Sequence, residues 1–438
     1  MAILSKEEAR QILQKVMDLS QADACVANLG GGVGGNIRYA RNTVTTSGME
    51  NTISLGVQSS FGKRSGTATI NELDDESLAK VVRRSEELAQ LSPENPEFME
   101  PLGPQEYLES PTYIESTANI TPEYRARAAA QSIIPCREKD LIAAGFLNDN
   151  AGFSSMMNSK GLFAYNRSTD VNFTLTVRTQ DGTGSGWVTR DYNDVDLLDT
   201  ATASQIAIDK AIMSREARAI EPGKYTVILE PAASIGLLQN MLFNMSARSA
   251  DEGRSFLSKK GGGTKLGEQI VDERINIYSD PQHPKVPSAT WSGNGLPLKK
   301  ISWIENGVVK NMFYSRYWAE QKGVEPVPSP SNAIMEGGTG SIEDLIADTR
   351  KGVLVTRTWY IRTVDPQTLL YTGLTRDGTF YIENGKIKFP VKNFRFNESP
   401  IIMLNNLDAL GEPVRIEGSL VPPMRVRDFT FTSLSDAI

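Results

Sequence analysis

Helical and strand patterns come in blocks along this chain instead of alternating. That excludes the doubly wound parallel sheet that a βαβ array builds and points to an α+β fold. Ser5 and Glu8 have capping-box spacing, and Ile12, Val16 and Leu19 then share one helical face. Residues 23–70 read as strands. Ile37-Arg38-Tyr39 alternates, Asn51 to Val57 carries apolar residues at odd positions, and Gly62 and Gly66 mark turns. Asp74 or Asp75 caps a helix to Leu91, with Leu78, Val81, Val82 and Leu88 as its buried stripe. Four prolines make residues 92–120 a connector, and Thr121-Pro122-Glu123 starts a helix to about Ile134. Strands follow from Leu141 to about Arg190, with turns at Asn158–Gly161 and Asp181-Gly182. A helix from about Leu198 to Ala219 then stops at Glu221-Pro222-Gly223.

From Lys224 the character changes. Tyr225 to Leu229 is a strand, and Ala232 to about Ala250 is the last clear helix. What remains is punctuated by Gly and Pro and rich in β-branched and aromatic residues, with strands at Val353–Val355, Thr379–Ile382 and Val426–Phe431. Two Glu-Asn-Gly runs, at Glu305 and Glu383, are hairpin signals. The expected organisation is an N-terminal α+β region over 1–220 (a first part to about 91, the connector 92–120, and a central part 121–220). A β-rich, barrel- or sandwich-like domain over 221–438 follows.

Scarcity limits the chemistry. Among 438 residues there is one histidine, His283, and there are two cysteines, Cys25 and Cys136. Two thiols 111 positions apart make no disulfide framework, and they imply a reducing cytoplasm. A protein zinc site takes about three or four ligands, drawn mostly from His, Cys and carboxylates, and His283 sits in a Pro-flanked surface turn. A net charge of -7 gives no basic footprint for nucleic acid. No apolar run is long enough to span a membrane or to serve as a signal peptide, so the expectation is a soluble cytoplasmic protein.

The motif candidates each have a plainer reading. Gly30-Gly31-Gly32-Val33-Gly34-Gly35 satisfies G-x-G-x-x-G, but strand-like sequence follows where a dinucleotide site needs a helix, so a flexible hairpin is expected. Gly261-Gly262-Gly263-Thr264-Lys265 lacks the ending of a phosphate loop and reads as a mobile loop. Ser77-Leu78-Ala79-Lys80 matches S-x-x-K on a charged helix with no partner motif. Gly184-Ser185-Gly186 is not a nucleophile elbow, and Asp74-Asp75 and Glu343-Asp344 read as helix caps.

An ordered set of segments resembles the TldD/TldE (PmbA) family. It comprises Thr45-Thr46-Ser47-Gly48, Ser65-Gly66-Thr67-Ala68 and Arg83 to Ala89, then Tyr225 to Pro231 and Gly236-Leu237-Leu238. Both Glu-Asn-Gly hairpins and the closing Val426-Arg427-Asp428-Phe429 complete it. The resemblance implies dimers enclosing a peptide-accepting chamber. It also implies, in TldD-type members, a zinc peptidase whose His-Glu-x-x-x-His helix and later cysteine hold the metal. Here the frame after Leu238 reads Gln239-Asn240-Met241-Leu242-Phe243-Asn244. By that alignment Gln239 and Asn244 stand for the histidines and Asn240 for the glutamate, and no cysteine follows Cys136. The resemblance therefore implies a TldE/PmbA-like subunit with no catalytic residue, no metal and no cofactor. Its partner would be a zinc-bearing TldD-like chain or a second copy, and its substrate unfolded or small peptides. Two other readings remain: a metal-free homodimeric peptide-binding protein, or a hydrolase of non-zinc chemistry resting on Ser77. Peptide capture has strand addition as its mode, and Trp303 or Thr358-Trp359-Tyr360 could line a groove, though core packing of the β-rich domain is the plainer reading of each.

Overall fold

The computed structural model describes residues 3–435. Helix α1 (Lys6–Leu19) opens on the expected Ser5–Glu8 capping box, but Ala9, Leu13 and Val16 are its buried residues, and Leu19 is exposed. Strands β1 (Ala24–Ala40), β2 (Thr43–Phe61) and β3 (Arg64–Ile70) follow. Then come helix α2 (Asp75–Leu91), capped by Asp74, the single turn α3 (Glu115–Ala118), and α4 (Pro122–Glu138), which continues through Pro135 beyond the expected end. Strands β4 (Leu141–Asn158), β5 (Phe163–Thr179) and β6 (Ser185–Tyr192) lead into helix α5 (Thr200–Met213). That helix begins where expected, at the Asp199 cap, but ends six residues before Ala219, because Ser214 turns its hydroxyl onto Ser185 and Ala211 carbonyls.

These elements form one antiparallel sheet in the order β3-β2-β1-β4-β5-β6. The strands before and after the connector thus share a sheet, joined where β1 pairs β4 from Val26–Asn158 to Tyr39–Gly145. The helices cover one face. Helix α1 and α2 pack on Leu29, Leu55 and Val57, while α4 and α5 pack on Leu147, Phe173 and Leu175. Gly66 is a strand residue against α2, where a Cβ would lie 2.2 Å from the Ala89 nitrogen, and so is not the expected turn.

The glycine run 30–35 is not a hairpin either. It is the middle of β1, hydrogen-bonded on both sides. Gly35 has a steric reason: a Cβ there would sit 1.8 Å from the Arg125 guanidinium. Arg125, on α4, is buried and makes a two-pronged ion pair with buried Asp149 on β4, Nε to Oδ1 at 2.6 Å and Nη2 to Oδ2 at 2.8 Å.

Beyond Met213 the chain is β-rich. Strand β7 (Gly223–Leu229) precedes helix α6 (Pro231–Phe243), and β8 (Ile277–Ser279), β9 (Ile301–Glu305), β10 (Val308–Val309) and β11 (Ile334–Met335) follow. Next are β12 (Lys351–Val355), β13 (Thr358–Asp365), β14 (Leu370–Thr375), β15 (Thr379–Glu383), β16 (Lys386–Pro390) and β17 (Phe394–Glu398). The last strands are β18 (Leu407–Leu410), β19 (Val414–Ile416), β20 (Ser419–Val421) and β21 (Met424–Leu434). A nine-stranded sheet runs β13-β14-β17-β21-β7-β12-β15-β16, with β18 beside β21, and curls into a half-barrel. A six-stranded sheet runs β10-β9-β8-β11-β20-β19. Both hairpin signals hold: Asn306-Gly307 and Asn384-Gly385 lie at φ 50°, 75°, 51° and 73°, the left-handed pair a type I′ turn requires. The expected helix to Ala250 breaks at Asn244, resuming only as a turn at Ala247–Asp251, and three further short helices follow it.

No helix among the described residues is long and apolar enough to cross a membrane. Cys25 and Cys136 are both buried and unpaired, and burial raises both thiols, Cys136 to about 11. Thiol-specific reagents are therefore expected to label neither cysteine of the native protein at neutral pH, and to label both in denaturant. Fast native labelling would contradict that burial.

Candidate functional site

The frame Gln239–Asn244 falls on the second half of α6. Glu230 and Pro231 start that helix directly from β7, and Leu237, Leu238, Met241 and Leu242 bury its inner face. This leaves Gln239 and Asn240 half-buried and Asn244 exposed at the C-cap. The two asparagines turn inward on their own helix. Asn240 Nδ2 donates to the Gly236 carbonyl at 2.7 Å, and Asn244 Nδ2 donates to the Asn240 carbonyl at 2.7 Å. Gln239 borders a cavity of about 180 Å³ with Leu242, Phe243, Asn332 and Glu417. Burial and neighbouring Asp191 raise the Glu417 carboxyl, while Arg357 opposes them.

These side chains do not suit zinc. Neutral amides are poor zinc ligands, and none of the three can take up a proton at neutral pH. Among the described residues, no three His, Cys, Asp or Glu side chains are placed to hold a metal ion. His283 lies apart, in its turn after β8, with Nδ1 accepting from the Lys285 amide at 3.3 Å.

The other candidates resolve into structural parts. Ser77 Oγ donates to Glu72 at 3.2 Å and its amide to the Asp74 cap, while Lys80 is exposed. Asp344 closes a capping box with Ser341. The loop at Gly261–Gly263 folds back through a bridge between Ser258 and Thr264, and Lys265 Nζ donates to the Phe256 carbonyl. Trp303 is fully buried with Nε1 on Ser279 Oγ at 3.0 Å, so it belongs to the core and lines no groove. Trp359 and Tyr360 are exposed on β13, with Arg376 over the first ring at 4.3 Å and Arg362 over the second at 4.2 Å.

One cleft escaped the sequence reading. It lies between the first sheet and the C-terminal half, at the start of α6, with a volume of about 510 Å³. Lys210 of α5 meets Glu230 at 2.6 Å, Arg415 of β19 meets Asp191 of β6 at 2.9 Å, and Arg357 stacks on Trp187 at 3.9 Å. Beside it Asp377 takes Arg357 at 2.6 Å and the Ser185 hydroxyl at 2.6 Å. Glu230 occupies the N-cap position of α6 but makes no capping bond. Its carboxylate goes instead to a lysine twenty residues earlier, which no local pattern announces.

Comparison with known proteins matches residues 29–89 to the PmbA/TldA metallopeptidase domain 1, 122–215 to the central domain, and 222–433 to the C-terminal domain. The Escherichia coli O157:H7 protein named metalloprotease PmbA is 21% identical, over 85% of each chain. A Methanothermobacter thermautotrophicus protein named metalloprotease is 25% identical over 61% of this chain, and the match spans 62% of that protein's length. The crystal structure of TldE from Thermococcus kodakarensis superposes with a TM-score of 0.87 at 18% identity, covering 97% of this chain and 99% of that one. A Thermotoga maritima structure described as a putative modulator of a DNA gyrase gives 0.86 at 18%, covering 97% and 100%.

Proposed function

The chain belongs to the PmbA/TldD metallopeptidase family, and we propose that within it this chain is a metal-free, TldE-like subunit. It completes a peptidase that a zinc-bearing TldD-like partner makes active on unfolded or small peptides. The observation that carries this reading is the amide set Gln239, Asn240 and Asn244 on α6. The helix is intact and well packed, and by the alignment that the resemblance implies these amides stand for the imidazoles and the carboxylate of the zinc helix in TldD-type members. Two buried, unpaired thiols suit a reducing cytoplasm.

The test combines metal analysis with capture from the cells that make the protein. The purified chain is expected to carry zinc far below stoichiometry and to leave unfolded casein intact. A tagged copy is expected to bring down a second chain of similar size, with zinc and chelator-sensitive cleavage arriving together. Stoichiometric zinc and chelator-sensitive cleavage in the single purified chain would overturn the reading.

A further inference from the structure

Three acids between the two halves of the chain are matched with bases: Glu230 with Lys210, Asp191 with Arg415, and Asp377 with Arg357. Glu417, beside them, is not. No hydrogen bond or ion pair reaches its carboxylate among the described residues, although Asp191 and Arg357 act on it through space.

Its place in the chain is unusual as well. Glu417 and Gly418 form the two-residue turn between β19 and β20, at φ 48° and 68°. A turn with both central residues left-handed favours Asn, Asp or Gly at its first position. The turns at Asn306-Gly307 and Asn384-Gly385 follow that preference, but this one holds a glutamate in a conformation that costs it free energy. The turn gains nothing from that side chain.

Glu417 borders the cavity that Gln239 of α6 also borders, and three more side chains there have free polar groups. Gln239, Ser331 and Ser419 make no side-chain hydrogen bond among the described residues. Ser419 is only 3% exposed, and a polar group so far out of water calls for a partner. Leu242, Pro330 and the exposed ring of Phe243 supply an apolar wall. Among the described residues no lysine or arginine lines the space. The cavity abuts the last turn of α6, where a helix favours a cation and where this one carries no basic residue.

We propose that this pocket is a binding site for an alkylammonium group, from a free amine or from a lysine side chain of another molecule. An ammonium has three protons to donate and no acceptor. Glu417 supplies the counter-charge, and the Ser419 hydroxyl and the Gln239 amide oxygen accept the remaining bonds. The alkyl stem lies along Leu242 and Phe243, as such stems lie on apolar surfaces. A neutral ligand would leave Glu417 unmatched, and an anion would be repelled by it. The inference stands on the pocket and does not need the metal-free subunit reading, which zinc content and casein cleavage decide separately.

Ligand-observed NMR of the full-length purified protein at neutral pH tests it, with n-butylammonium chloride as probe and n-butanol as its neutral analogue. Wild type is expected to bind n-butylammonium with a Kd of about 1–10 mM, the range open to so small a ligand, and n-butanol at least ~10-fold more weakly. Glu417→Gln keeps the shape, removes the charge, and is expected to weaken binding about tenfold. Ser419→Ala is expected to weaken it about threefold. Gln239→Glu adds a second carboxylate and is expected to tighten it about threefold, a gain that a misfolded protein cannot give. Glu412→Gln, at an exposed acid just before β19, is expected to change nothing. A blocked Gly-Lys-Gly peptide separates the two sources. Binding at least as tight as that of n-butylammonium, and lost when norleucine replaces the lysine, assigns the pocket to a lysine side chain. Weaker binding by the peptide assigns it to a small free amine. Equal binding of n-butanol overturns the proposal, as does no binding of n-butylammonium at tens of millimolar. So does a Glu417→Gln protein that binds like wild type.

Discussion

Arg125→Ala is expected to lose about 3–5 kcal/mol of folding stability, because it leaves the Asp149 carboxylate buried without its counter-charge. Both side chains are almost entirely out of water, at 2% and 7% exposure. The guanidinium grips both carboxylate oxygens in a fork that lysine does not reproduce, so Arg125→Lys is expected to fall between wild type and alanine. The slot was made by omission at Gly35, and Gly35→Ala is expected to be severe for the opposite reason. The added methyl occupies the position of the guanidinium itself, at 1.8 Å, against a backbone held in pairing on both sides. Overpacking usually costs about 1–3 kcal/mol, and this contact lies at the upper end of that range or beyond it. Replacing both partners with apolar residues, Arg125→Met with Asp149→Leu, is expected to recover much of the loss. Urea midpoints for the four variants check the set, and an Arg125→Ala midpoint near wild type would show that the buried pair contributes little.

Asp377→Ala is expected to cost about 3 kcal/mol, and its effect reaches across the two halves of the chain. The carboxylate is buried, held at φ 56°, and shared between Arg357 of the C-terminal half and Ser185 of β6. Burial lowers Arg357 from the ordinary guanidinium range while Asp377 supports its charge. Without Asp377 the cation keeps the face of Trp187, at 3.9 Å, and the neighbouring Glu417 carboxyl. Loss of the pair is expected to raise amide exchange in β6 and β15 while leaving β1 and β4 protected. Uniformly faster exchange throughout would mean that the pair has no local role. Ser185→Ala removes one hydroxyl hydrogen bond to that carboxylate and is expected to cost about 1.5–2 kcal/mol, less than loss of the carboxylate itself.

What the sequence discloses here depends on how local the cause is. The caps at Ser5, Asp74 and Thr121 and the turns at Asn306-Gly307 and Asn384-Gly385 were legible because a side chain and its backbone partner lie within four residues. The ordered segments that resemble the PmbA/TldD family were legible for a different reason, since many weak matches in sequence order reinforce one another. The glycine run of β1 misleads because bare backbone normally signals a loop. The cause at Gly35, an arginine ninety residues further on, shows only when α4 packs on β1, and the close approach of neighbouring strands to Gly31 and Gly32 only when β1 lies between β2 and β4. The α6 frame was placed correctly on a helix. Its end at Phe243 was not, because the run of apolar residues continues past the point where Asn244 closes the helix with its own side chain. The charged cleft at Glu230, Lys210, Asp191 and Arg415 joins four distant segments and has no sequence pattern at all.

Strand β21 lies between β17 and β7, pairing Phe429 with Tyr225 and Met424 with Leu229, about two hundred residues after β7. Synthesis therefore delivers the flanks of the half-barrel before its centre. At ~5–20 residues per second, β7 waits roughly 10–40 s for the neighbour that fills one of its sides. During that interval the apolar face of α6 has no complete floor to rest on. The nascent chain must hold a gap in the middle of its largest sheet, and its need for chaperones should be concentrated in this stretch of translation.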